Sequence, residues 1–92
     1  MDHRTTINDE VSITAVYFRN KHHLKSFPKR MEYAGRQYEF IESGLQYRIK
    51  KPGGELRLFD MSDGSAQYRL RFDRRSLTWT LVSITKILNF SN

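Results

Sequence analysis

Gln67-Tyr68-Arg69-Leu70-Arg71-Phe72 alternates residue by residue between apolar and polar side chains. In an extended chain successive side chains point to opposite faces, so Tyr68, Leu70 and Phe72 fall on one face and Arg69 and Arg71 on the other. The same alternation recurs in Leu45-Gln46-Tyr47-Arg48-Ile49-Lys50 and in Leu56-Arg57-Leu58. Consecutive segments of this kind predict one antiparallel sheet with an apolar face and a face that pools its cations.

Turn chemistry divides the rest of the chain into similar segments. Lys51-Pro52-Gly53-Gly54 places Pro where φ near −65° is wanted and Gly where φ must be positive, a type II signal. Asp63-Gly64 is the dipeptide of a type I′ hairpin turn, Ala34-Gly35-Arg36 suits a three-residue hairpin loop, and Ser43-Gly44 suits a bend or bulge. The predicted strands are about 11–18, 27–33, 37–42, 45–50, 55–60, 66–72 and 77–84. Residues 11–27 also trace a helical stripe through Ile13, Val16, Tyr17, Asn20, Leu24 and Phe27. The β-branched Val11, Ile13, Thr14 and Val16 favour the strand, with Asn20-Lys21-His22-His23 as a loop. Pro28 donates no amide hydrogen, so its segment is expected at a sheet edge or to begin after it.

The expected core is Met31, Tyr33, Tyr38, Phe40, Leu45, Tyr47, Ile49, Leu56, Leu58, Tyr68, Leu70, Phe72, Leu77, Trp79 and Leu81. In 79–84 both phases become apolar, with Val82 and Ile84 opposite Trp79 and Leu81, as in a central strand or one covered on both faces. The tail 86–90 is either a short helical turn over one end of the sheet or disordered. The fold expected is all-β: a strongly bent antiparallel meander of six or seven short strands, partly closed into a small barrel of SH3-like or OB-like size. Residues 1–9 are expected as a flexible tail and 10–92 as a single β domain.

The chain has 92 residues and no cysteine, so neither disulfides nor a thiolate metal site can support a small core. Aromatics, 13% of residues, must supply it. No apolar stretch is long enough for a spanning helix, and Met1-Asp2-His3-Arg4-Thr5-Thr6 lacks the order of a signal peptide. A cytoplasmic protein with no membrane partner is expected.

Catalytic and metal signatures are missing from the spacing. His22 and His23 are adjacent, and adjacent side chains on an extended chain diverge, while His3 stands alone. Asp60 and Asp63 are three residues apart without the closing Glu of a calcium loop, and a plain hairpin turn is the simpler reading. No two of Glu32, Glu39, Glu42, Glu55, Asp60 and Asp73 are singled out as an acid and base pair. Neither an enzyme nor a cofactor is expected.

The positive signal is basicity: a formal charge of +6 and a pI near 9.9, concentrated in 19–36 and 69–75 against an acidic 1–10. Such clustering favours an anionic partner. Nucleic acid is the first expectation, held by Arg48, Lys50, Arg57, Arg69 and Arg71 on one sheet face with Arg74 and Arg75 in the following turn. Phe59 continues the Arg57 phase, either as an exposed ring on which bases stack or as a ring buried against a bend. The alternative is a protein-interaction or assembly module, including a homo-oligomer, that uses a sheet edge near Pro28 or the apolar Ile84, Ile87, Leu88 and Phe90.

Overall fold

The computed structural model describes residues 3–20 and 23–87, with the backbone alone for 18–20 and 23–26. The expected loop residues Lys21 and His22, the His23 side chain, and Leu88 and Phe90 lie outside that description. The described residues form seven antiparallel strands and no helix: β1 (His3–Asn20), β2 (His23–Tyr33), β3 (Arg36–Glu39), β4 (Glu42–Lys51), β5 (Gly54–Ser62), β6 (Ala66–Asp73) and β7 (Thr78–Lys86). Their order in the sheet is β3-β2-β1-β7-β6-β5-β4.

That order forces curvature. Phe40 and Ile41 alone separate β3 from β4, a reach of about 10 Å for extended chain. In a flat sheet the same two strands would stand roughly 29 Å apart at about 4.8 Å per strand. The sheet therefore rolls until its two edges approach. Phe40 N–H donates to the Lys29 carbonyl and Ile41 N–H to the Ser62 carbonyl. No strand ladder joins β3 to β4, so the sheet does not close into a barrel and the expected partial closure is replaced by an open roll.

Two devices bend it. The long β1 pairs with β7 through His3–Val11 and with β2 through Ser12–Asn20, serving both halves of the roll. In addition, ladder irregularities line up across neighbouring strands: Gly44-Leu45 on β4 opposite Asp60, Val82 on β7 beside Arg69, and Ile7-Asn8 on β1, where Asn8 has φ 59°. Bulges at one level add twist and bend along a line. The bulge at Val82 also explains the doubled apolar phase of β7, because it returns Ile84 to the core side opposite Tyr68.

The inner face holds Met31, Phe40, Phe59, Met61, Ala66, Tyr68, Leu70 and Leu81, all buried, with Ile7, Val11, Ile13, Tyr33, Tyr38, Phe72, Trp79 and Ile84 packed against them. Tyr68 is enclosed by Tyr38 and Phe40, with ring centroids 5.5 and 5.4 Å away, which carries β3 over β6.

Several expectations change. Residues 3–9, expected as a tail, are the first half of β1. Pro28 lies inside β2, not at an edge, and is fully buried where the β1–β2 register shifts; a bulge is the other place a strand tolerates a residue with no donor. Leu56 and Leu58 face outward while Phe59 and Met61 take the core, since both phases of β5 are apolar and burying Phe and Met removes more surface from water. Leu45, Tyr47 and Ile49 are exposed because β4 is an edge with nothing over it, and Leu77 is a turn residue with φ 59°.

Turn types also trade places. Tyr33 pairs with Arg36 across a two-residue loop in which Ala34 and Gly35 both have positive φ, 52° and 76°, as type I′ requires. At Asp63-Gly64 only Gly64 has positive φ, and the Asp63 carboxylate organises the turn instead. It accepts from Ser65 N–H, Ser65 Oγ and Ala66 N–H at 2.9 Å each, and from the Tyr68 hydroxyl at 2.7 Å.

Candidate nucleic-acid interface

Cross-strand partners in an antiparallel sheet share a face, so the register decides which cations lie together. Arg48 pairs with Arg57, Arg57 with Phe72, and Phe72 with Trp79. These four form one row across the inner face, next to the row of Phe59, Leu70 and Leu81. Lys50 pairs with Glu55 one step nearer the β4–β5 turn and shares the Arg48 phase. Arg69 and Arg71 pair with Asp60 and Leu58, which puts them on the outer face. The single cationic face expected from alternation is thus divided between the two sides of the sheet.

The division has a physical origin in β5. Arg57 shares the phase of Phe59 and is drawn inward with it, leaving the guanidinium 5.3 Å from the Phe59 ring centroid. Phe59 itself is 1% exposed and offers no stacking surface. The partly buried rings of the row are Phe72 and Trp79, which pack against the core with their centroids 4.8 Å apart. Alternation places both among the core residues, and both pack against the core while keeping part of their surface accessible.

Glu55 is the anion around which the inner cations gather. Its carboxylate accepts from Arg74 Nη1 at 3.0 Å and stands 3.8 Å from Arg48 Nε. The hydrogen bond from Arg74 lowers the Glu55 pKa, against a smaller opposing effect of desolvation, and Arg48 and Arg57 add to the lowering. Burial, followed by the Arg48 charge, lowers that of Arg57. A guanidinium remains charged regardless. Arg57 makes no hydrogen bond or ion pair within 4 Å among the described residues, so one carboxylate serves three guanidinium groups and the corner keeps an excess of positive charge. Arg75 belongs to the same corner, its side chain lying against Gly53 and Gly54 of the β4–β5 turn.

Arg69 is engaged differently. Its Nε and Nη2 donate to the two Asp60 oxygens at 2.8 and 3.0 Å, and Nη2 also donates to the Tyr47 hydroxyl at 2.9 Å. The bond to Asp60 raises its pKa. Such a forked pair is the strong form of a charge-assisted bond, and it neutralises Arg69 for outside partners. Arg71 stays on the outer face, away from the rings. Asp60 and Asp63 are thereby both committed to protein partners, and the described residues hold no cluster of three or more His, Asp or Glu side chains suited to a metal ion.

Comparison of the chain with family models, with curated proteins and with solved structures returns no match.

Proposed function

We propose that the protein binds single-stranded nucleic acid at the inner-face corner built from Arg48, Lys50, Arg57 and Arg74 with Phe72 and Trp79. The supporting observation is the cross-sheet row Arg48, Arg57, Phe72, Trp79, in which cations run directly into two partly accessible rings. Phosphates suit the under-neutralised guanidinium groups and a base suits the ring face, the combination used by sequence-tolerant single-strand binders. Arg69, tied to Asp60, and Phe59, buried, drop out of the site, and Arg71 has no ring beside it. Arg75 extends the track towards the β4–β5 turn.

Trp79 is the one tryptophan of the chain, so its emission reports on the site directly. Titration with a short single-stranded oligonucleotide is expected to quench it, with an affinity that falls steeply as salt is added. Binding without any change in Trp79 emission, or no binding beyond that of an unrelated protein of equal charge, overturns the proposal.

A further inference from the structure

We infer that β4 is a self-pairing edge through which two copies of this chain join their sheets antiparallel, about a two-fold axis at Tyr47. β4 is ten residues long, lies last in the sheet order and is exposed along its whole length, whereas the opposite edge, β3, has four residues. Long open edges carry unpaired backbone donors and acceptors and are normally shortened or covered. Lys51 and Gly54 close a two-residue loop and form a hydrogen-bonded pair, so alternation turns the backbone groups of Tyr47 and Ile49 towards β5. Those of Gln46, Arg48 and Lys50 face outward.

The side chains select a second copy as the occupant. Leu45, Tyr47 and Ile49, 68%, 36% and 45% exposed, lie along the outer face beside the half-buried Leu56 and Leu58. With the axis at Tyr47, Leu45 of each copy meets Ile49 of the other and Tyr47 meets Tyr47. On the inner face Arg48 then meets Gln46, and Lys50 lies opposite the Gly44-Leu45 bulge, which presents no cation. Apolar residues oppose apolar ones and no cation opposes a cation directly. Moving the axis to Arg48 sets two guanidinium groups face to face, and moving it to Gln46 leaves Ile49 against Ser43. An isologous strip of this kind is what a two-fold interface requires. The gap left by the Gly44-Leu45 bulge confines the regular ladder to Gln46, Tyr47 and Arg48 with their flanks. The inference stands on the edge alone and does not depend on nucleic-acid binding.

The chain has no cysteine, which permits a direct test on the full chain. At the axis the Tyr47 pair is non-hydrogen-bonded, with Cα atoms about 4.5 Å apart, inside the disulfide range. Tyr47→Cys is expected to cross-link rapidly into a disulfide dimer under mild oxidant, while Ser65→Cys, in an exposed turn, does not. Sedimentation of the unmodified chain from micromolar to millimolar concentration is expected to show a monomer–dimer equilibrium that strengthens with salt, because both copies are cationic. Gln46→Pro, which removes one outward amide at an edge position that tolerates proline, is expected to keep the melting temperature and lose the dimer. A strictly monomeric chain, equal cross-linking at positions 47 and 65, or a dimer that survives in folded Gln46→Pro overturns the inference.

Discussion

Arg57 and Phe59, two residues apart on β5, share the inner face, and the guanidinium of the first lies over the ring of the second at 5.3 Å. The ring is buried against Leu70, its partner on β6, and lies 5.4 Å from the Trp79 ring. Phe59→Ala is therefore expected to cost about 3–5 kcal/mol. Leu58→Ala, on the half-exposed outer face, should cost clearly less. Urea unfolding of the two variants ranks them, and a larger loss for Leu58→Ala would reverse the phase of β5.

Alternation alone could locate the strands but not orient all of them. In β6 only one phase is apolar, so the sequence alone turns Tyr68, Leu70 and Phe72 inward, and they lie inward in the fold. In β5 both phases are apolar, so alternation does not separate Leu56 and Leu58, expected in the core, from Phe59 and Met61, which occupy it. That one reversal moved Arg57 away from Arg69 and Arg71 and split the expected cationic face. β4 differs for another reason: Leu45, Tyr47 and Ile49 carry a core pattern on a strand that ends the sheet, and no local feature reports that a strand lacks a neighbour. Turn residues mark the β2–β3, β4–β5 and β5–β6 boundaries, but Ser43-Gly44, expected between strands, is a bulge inside β4, and the true β3–β4 boundary, Phe40-Ile41, carries no turn residue. The pairing of β1 with β7 joins residues far apart in sequence and leaves no local trace.

The Asp63 carboxylate and the Tyr68 hydroxyl, 2.7 Å apart, set the pH limits of the β5–β6 turn. Burial pushes the Asp63 pKa up, but the hydrogen bonds from Tyr68, Ser65 and Ala66 outweigh it and hold the group below its ordinary value. Burial first, and then the bond to Asp63, raise the Tyr68 pKa. A depressed carboxylate contributes stability that is whole above its unfolded pKa of about 3.9 and is lost as pH falls through the folded value. A raised phenol contributes stability that is whole below its unfolded pKa of about 10 and is lost as pH rises towards the folded value. Tyr68→Phe is expected to cost about 1–2 kcal/mol at neutral pH. It should also abolish the Tyr68 share of the alkaline loss and weaken the acid one. Unchanged melting curves at pH 3.5, 7 and 10.5 would show that the pair contributes nothing.

The split of the cations makes the nucleic-acid proposal selective among arginines. Arg57→Ala should weaken oligonucleotide binding and reduce the slope of log affinity against log salt by about 0.7–1. Arg71→Ala, on the outer face, should leave both nearly unchanged. Arg69→Ala frees Asp60 and removes the anchor of Tyr47, so it is expected to lower the melting temperature without altering the salt slope. Equal slope changes for Arg57 and Arg71 would mean that the protein binds as an undifferentiated cation.

Ala34 adopts φ 52° in the β2–β3 turn, with Gly35 at 76° following it. For an L-residue with a Cβ that left-handed conformation costs roughly 1–2 kcal/mol, and asparagine tolerates it better than alanine because its side chain bonds locally. The position is exposed, so a larger polar side chain displaces nothing. Ala34→Asn should therefore stabilise the fold by about 0.5–1 kcal/mol. In a domain of this size that raises the melting temperature by roughly 2–8 °C. Ala34→Gly should gain less, since the relief of strain is offset by the greater entropy of the unfolded chain. Ala34→Val should lower the melting temperature, because a β-branched side chain resists positive φ most strongly. The order Asn, Gly, Ala, Val in thermal unfolding is the expected result, and a Val variant as stable as the Asn one would show that the turn is not left-handed at both central residues.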